Sequence, residues 1–273
     1  STIKYNLLPM QVRVDYFPVT ETNVLTSITI QFPRADLQFQ QKDGVAQARI
    51  NLHAAIYTMT RRPVGRPIDE TLVVGPVPAE QLAAVSTGHS IFNTTLSLPP
   101  GRYKMSVAAK DAIGDSGTTY DVALDVPAFN EDRLSSSSLV LADLLEKTPT
   151  RSIGTGQFVI GSSKVRPRVD ESFKKDETLG IYLQVYNFEQ NEETRKPEGS
   201  VAYKIVRNGT NESVFDFTED LSALSGGASQ MVIEKKLPLG GLGLAPGDYT
   251  LHLTVTDKRR NETLTPSAKF KII

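Results

Sequence analysis

At 273 residues the chain is long enough for two domains with cores of ordinary size. Its 30 Lys and Arg against 31 Asp and Glu leave a formal net charge of -1, so no global field draws nucleic acid or an anionic membrane, which argues against both as main partners. Cysteine is absent, so neither disulfides nor thiolate zinc sites hold the fold, and thiols say nothing of the redox compartment.

The opening strand is expected around Val12, Val14 and Tyr16, with Arg13 and Asp15 on its other face. Val24, Thr26, Ile28, Ile30 and Phe32 then alternate against Leu25, Ser27, Thr29 and Gln31, and Pro33 ends the run by withdrawing a ladder donor. After a turn region from Gln38 to Gly44, Ala46, Ala48, Ile50, Leu52, Ala54 and Ile56 line one face of a long strand whose other face carries Gln47, Arg49, Asn51, His53 and Tyr57. Arg61-Arg62-Pro63-Val64-Gly65-Arg66-Pro67 reads as an exposed connection rather than ladder, either a binding patch or a solvated loop at a sheet edge, with the solvated loop favoured. Pro78 followed by Ala79 to Val85 predicts one short helix.

Pro100-Gly101-Arg102-Tyr103 opens a strand that alternates apolar and polar residues up to Asp111. The same pattern returns from Pro246-Gly247-Asp248-Tyr249 to Asp257. Tyr103, Met105, Val107 and Ala109 share one face in the first copy, and Tyr249, Leu251, Leu253 and Val255 share it in the second. The segments C-terminal to the two copies match too, with Val122, Leu124 and Val126 in the places that Ala268, Phe270 and Ile272 take later. The repeat predicts two tandem antiparallel β-sandwiches of immunoglobulin or fibronectin type III character: residues 1–127, a linker 128–134 and residues 135–273. Each Tyr suits a tyrosine corner, its ring filling the core edge and its hydroxyl bonding backbone near the turn.

Between the copies, Leu139 to Leu145 fits both strand and helical periodicity, and an extended lead-in to the second sandwich is favoured. Leu179, Ile181, Leu183 and Val185 predict a buried face, with Tyr182, Gln184 and Tyr186 pointing the other way. Asn208-Gly209 signals a two-residue hairpin turn ahead of Phe215 and Phe217.

No catalytic, cofactor-binding or metal-ligating residue is expected. His53 and His252 fall on polar strand faces and His89 in a turn, none beside a partner, and no nucleophile elbow or local Ser/His/Asp grouping is visible. Gly154-Thr155-Gly156 to Gly161 fits neither phosphate-binding fingerprint. Lys164, Arg166 and Arg168 line one strand face, for an anionic ligand or, as favoured, as a solvated edge. Asp111, Asp115, Asn130, Glu131, Asp132 and Asp257 are oxygen donors that calcium would bridge if they met at a junction, but no dense calcium loop is present. Glycosylation triplets begin at Asn93, Asn208, Asn211 and Asn261.

Several stretches resemble one family, the C-terminal region of bacterial GWxTD-domain proteins. They are Asn6-Leu7-Leu8-Pro9 with Val12-Arg13-Val14-Asp15; Phe39 to Val45; Ser137 to Asp143; Gly154 to Gly161 with Lys164 to Arg168; and Tyr182-Leu183-Gln184-Val185-Tyr186-Asn187. The chain has no tryptophan, so the Gly-Trp-x-Thr-Asp motif itself is missing, and the resemblance implies a fragment lying after that domain. It also implies an exported bacterial protein, periplasmic or extracellular, with no catalytic residue to carry over. The functional expectation is a non-enzymatic module that spaces or presents an upstream domain and binds protein or glycan at the cell envelope. The alternative is an accessory region of an enzyme whose catalytic residues lie upstream.

Overall fold

A computed structural model describes residues 8–114, 116–149 and 156–273. The chain is all-β, two tandem antiparallel sandwiches of the immunoglobulin/fibronectin type III kind, and no described helix is long and apolar enough to cross a membrane. The first half runs β1 (Gln11–Thr20), β2 (Asn23–Pro33), β3 (Gln40–Lys42), β4 (Val45–Thr58), β5 (Pro63–Pro78), the short helix α1 (Leu82–Ser86), β6 (His89–Leu98), β7 (Gly101–Asp111) and β8 (Gly117–Val126). The second half begins β9 (Ser135–Ser136), β10 (Val140–Lys147), β11 (Val159–Ile160), β12 (Ser163–Pro167), β13 (Ser172–Phe173), β14 (Thr178–Tyr186) and β15 (Gly199–Arg207). It continues with β16 (Ser213–Asp220), β17 (Ser225–Gly226), β18 (Gln230–Pro238), β19 (Gly247–Asp257), β20 (Glu262–Leu264) and β21 (Ser267–Ile272).

The sheet orders show why the sequence repeats. One sheet is β1-β2-β6, and its counterpart carries β10-β14-β18 at its centre; β4-β7-β8 with β5 on the far side of β4 corresponds to β16-β15-β19-β21. The register agrees residue by residue: Tyr103 faces Leu124 and Met105 faces Val122 across β7 and β8, as Tyr249 faces Phe270 and Leu251 faces Ala268 across β19 and β21. Both strands start from a glycine in backbone that side chains disfavour, Gly101 at φ 149 and Gly247 at φ 150. Each tyrosine makes the expected corner, its hydroxyl donating to the carbonyl four residues back, Pro99 at 3.0 Å and Ala245 at 2.7 Å.

Their burial differs. Tyr249 is 1% exposed and stacks on Phe270 at 5.6 Å, whereas Tyr103 is half-buried, because Leu124 stands where Phe270 would cover it.

Compact units divide the chain as residues up to Val14 with Ile28–Thr95 and Pro99–Pro127, and as Asp15–Ser27 with Leu96–Leu98 and Ala128–Ile273. In the first unit Ile28, Ile30 and Phe32 supply one wall of the core, and Ala46 to Ile56 on alternate positions, Met105, Val107 and Leu124 the other. In the second, Leu141, Leu179, Ile181, Leu183 and Val185 meet Val201, Tyr203, Ile205, Leu251, Leu253, Val255 and Ile272. Burying such side chains contributes about 1.5–3 kcal/mol each relative to exposure.

Leu139 to Leu145 is extended, as favoured, with Leu139, Leu141 and Leu145 buried. The opposite face of β14 is also covered. Tyr182, Gln184 and Tyr186 are at most 6% exposed, and Phe17, Val140, Ala142, Leu145 and Val165 pack over Tyr182. The Gln184 amide donates to the Tyr182 hydroxyl at 2.7 Å and accepts from that of Tyr186 at 2.6 Å, so the polar tips leave nothing unpaired. Burial raises both phenols above the ordinary 10.0.

Three strand expectations need correction. In β1 the buried side chains are Asp15, Phe17 and Pro18, with Val12, Val14 and Tyr16 half-buried, since Phe17 sits edge-on to Tyr182 at 6.1 Å. In β2 the polar face is buried as well: Thr29 accepts from Asn93 at 3.0 Å and Gln31 donates to Gln11 at 3.1 Å. The Asn208-Gly209 turn spans residues 208–212 instead of two, closing with the Arg207 amide on the Glu212 carbonyl at 2.9 Å.

Candidate functional site

Most candidate residues are committed to holding the fold. Asp111 and Asp257 end the repeated strands, at 1% and 0% exposure. Asp111 accepts the amides of Ile113 and Gly114 through Oδ1, at 2.9 and 3.0 Å, and that of Gln38 through Oδ2 at 2.7 Å. Asp257 does the same with Arg259 and Arg260 at 2.9 and 3.1 Å and with Glu189 at 2.8 Å. Carboxylates ringed by amide protons have their lone pairs occupied and offer a cation little. Among the described residues no group of three or more His, Asp or Glu is placed to hold a metal; Asp115 lies outside them.

In the linker, Asn130, Asp132 and Arg133 are engaged through their backbone carbonyls. Arg260 donates to the carbonyls of Asp132 at 2.7 Å and Asn187 at 2.8 Å, and Asn187 donates to those of Asn130 and Arg133 at 3.2 and 3.1 Å. Phe129 packs edge-on to Tyr186 at 5.4 Å.

The basic stripe is not a free cationic face. Arg166 pairs with Asp143 at 2.5 Å, while Arg168 pairs with Glu177 at 2.5 Å and lies over the Phe173 ring at 5.0 Å; Lys164 stays exposed. Of the glycine-rich stretch, Gly154 and Thr155 lie outside the described residues, and the rest leads into the β11–β12 hairpin with no helix to offer amide donors. Asn93 is 6% exposed and donates its amide to Ile28 and Thr29, which removes it from any glycosylation. His89 and His252 are exposed.

His53 does have a partner, contrary to expectation. It sits directly across the β4–β5 ladder from Asp69, with Nδ1 2.5 Å from the carboxylate, on the sheet's outer face. Ser106 lies on the same face but donates to Asp121 at 2.7 Å, so no nucleophile is activated. With side chains 51% and 71% exposed, the His53–Asp69 pair is a solvated cross-strand contact.

That ladder exists because of β5, which sequence reasoning missed. Pro63, Gly65 and Pro67 read as an exposed connection and Pro78 as the start of a helix, yet the segment pairs with β4 from Tyr57↔Pro63 to Val45↔Pro78, absorbing the interruptions in two register shifts. Pro63 and Val64 are thus ladder, Gly65 to Pro67 lie within β5 at the register shift, and residues 59–62 form the connection. At 16 residues β5 is longer than β4, and only Val74 along it is fully buried.

Met59, 67% exposed, and Arg61 and Arg62 project at the hairpin tip, with Arg66 just inside β5. All three arginines are exposed, and among the described residues none has an ion pair or side-chain hydrogen bond. At this hairpin unspent charge, exposed apolar side chains and an unpaired strand edge coincide.

No protein-family model matches the chain, and a comparison with curated proteins finds no match.

Proposed function

We propose that this chain is a non-enzymatic, exported bacterial pair of β-sandwich modules that spaces or presents an upstream domain and binds protein or glycan at the cell envelope, in the periplasm or outside the cell. The observation that carries the binding role is the β4–β5 hairpin, whose 16-residue outer strand is exposed or half-exposed save at Val74, and whose tip and first turn carry Arg61, Arg62 and Arg66, with no side-chain partner among the described residues. Charge held in readiness on a rigid scaffold is what recognition uses and stability does not need. The non-enzymatic part is supported by the occupied state of the acid and base groups: Asp111 and Asp257 hold backbone amides, Asp143 and Glu177 hold arginines, and His53–Asp69 lies open to solvent. The bacterial, exported and envelope parts rest on the resemblance to GWxTD-domain proteins.

The test compares wild type with an Arg61→Glu/Arg62→Glu/Arg66→Glu variant in capture from envelope extract and on an immobilised glycan panel. The reading expects a ligand retained by wild type and lost by the variant. If neither this chain nor the full-length protein retains any ligand, the reading fails. An activity of the full-length protein that disappears when this region is deleted would instead favour an accessory role in an enzyme.

A further inference from the structure

Strand β5 lies outermost in its sheet, pairing with β4 and with no other described strand. Its prolines cluster at the two ends, and the window Ile68–Gly75 between Pro67 and Pro76 contains none. That window is the length of an ordinary strand. Along it, side chains alternate in two rows. Glu70, Leu72 and Val74 stand opposite Leu52, Ile50 and Ala48 on the core side, in the row begun by Ile68, while Asp69, Thr71 and Val73 stand opposite His53, Asn51 and Arg49 on the outer side. Ile68 and Leu72 are half-exposed and Val73 is 52% exposed, so both rows still have apolar surface to bury.

We propose that β5 accepts an extended segment of a protein partner as an added strand, with acidic residues of that segment beside Arg61, Arg62 and Arg66; this rests on the docking reading above and gives it a ligand class. Backbone ladder bonds supply the common affinity of such pairing, and alternate side chains supply the selectivity. Asp69 and Glu70 repel carboxylates placed across from them, so they direct the segment's acids to the arginine end and leave β-branched or hydroxyl residues to face Ile68 to Val74. Guanidinium groups meet carboxylates through two parallel hydrogen bonds, which lysines would not give. The corresponding outer strand of the second half, β16, has eight residues, and on its core-side row Lys235 binds Glu219 and lies over the Phe217 ring.

The experiment titrates the intact chain with fluorescent, end-capped peptides followed by anisotropy. Two carry three glutamates followed by, or preceded by, alternating valine and threonine; a third replaces glutamate by lysine; a fourth is the acidic peptide N-methylated at every amide. The expected result is that one of the two acidic orders binds at least about tenfold more tightly than the lysine and N-methylated versions. That binding should weaken with salt and fall about tenfold in the triple Arg→Glu variant, whose unchanged circular dichroism and thermal midpoint establish its fold.

Equal binding of lysine and glutamate peptides, undiminished binding of the N-methylated peptide, or no binding of either acidic order overturns the proposal. So does a wild-type dimer through this edge that survives the charge reversal, since the occupant would then be a second copy. If the peptides fail while an envelope protein is captured by wild type and lost from the triple variant, strand addition falls and the docking role stands. If capture fails too, both fall.

Discussion

Strand β7 ends on Asp111 and β19 on Asp257, and each buried carboxylate gathers two amides from the following turn and one from a distant segment in the same pattern, whereas the outer strands β5 and β16 share little beyond their place in the sheet. In the second half Glu219 on β16 accepts from the Tyr203 hydroxyl and from Lys235 at 2.8 Å, and the Lys235 ammonium lies 4.3 Å from the Phe217 ring centre and 5.4 Å from that of Tyr203. Charge is paired there and part of the aromatic surface is covered, with Phe217 still 40% exposed. The first half has no such arrangement among the described residues along β5, whose acidic and apolar side chains, Val74 apart, are half or fully exposed. The difference teaches that what the repeat shares is the scaffold, and that the two halves part at its outer strand.

The shared interior can be broken first. Asp257→Ala and Asp111→Ala each leave three amides without their acceptor, so each should destabilise by about 4 kcal/mol in urea unfolding. Parallel losses support one device used twice, and a neutral result at either site breaks the equivalence.

Lys235→Met keeps the stem but removes the charge beside Glu219, whose side chain is 13% exposed, and should cost about 2 kcal/mol. A comparable loss from any single polar substitution on β5 would erase the contrast between the outer strands.

Alkaline pH separates the halves differently. Burial raises the phenols of Tyr182, Tyr186 and Tyr203 above the ordinary 10.0, and the Glu219 hydrogen bond and charge raise Tyr203 further. Below pH 10 these groups are neutral in both states and their contribution is fully present. Above it the unfolded chain loses the protons first, so stability falls as pH rises, by up to about 1.4 kcal/mol per pH unit for each group. Tyrosinate absorbance from these three phenols should therefore appear together with loss of the second unit's structure.

Smaller still, Tyr249→Phe removes a hydrogen bond at a 1% exposed residue and should cost about 1.5 kcal/mol, against about 0.5 for Tyr103→Phe at a half-buried one. Urea midpoints resolve the difference. The Arg61→Glu/Arg62→Glu/Arg66→Glu variant should lie within about 0.5 kcal/mol of wild type, because exposed charges without partners do little for stability.

Much of the scaffold was legible because it is written locally. Pro-Gly turns, period-two alternation and the corner tyrosines fix β7 and β19, and the matching residues downstream fix β8 and β21. What was illegible depends on pairing between distant segments. The alternation in β14 identified two faces, yet nothing in Tyr182, Gln184 and Tyr186 announces that Phe17, 165 positions earlier, and Phe129 will cover them. In β5, the prolines that protect an outer strand are the residues that mark a loop, so composition pointed away from the ladder that brings Asp69 to His53. The arginines were visible as a cluster, and only the structure distinguishes them from Arg166 and Arg168, which have acidic partners.

Residue-resolved amide exchange in the presence and absence of the bound acidic peptide tests the contrast between the outer strands most directly. Alternate amides within Ile68–Gly75 of β5 should slow when the peptide is added, with no change across Ser213–Asp220 of β16. Unchanged exchange in β5, or equal slowing in both strands, would contradict the account.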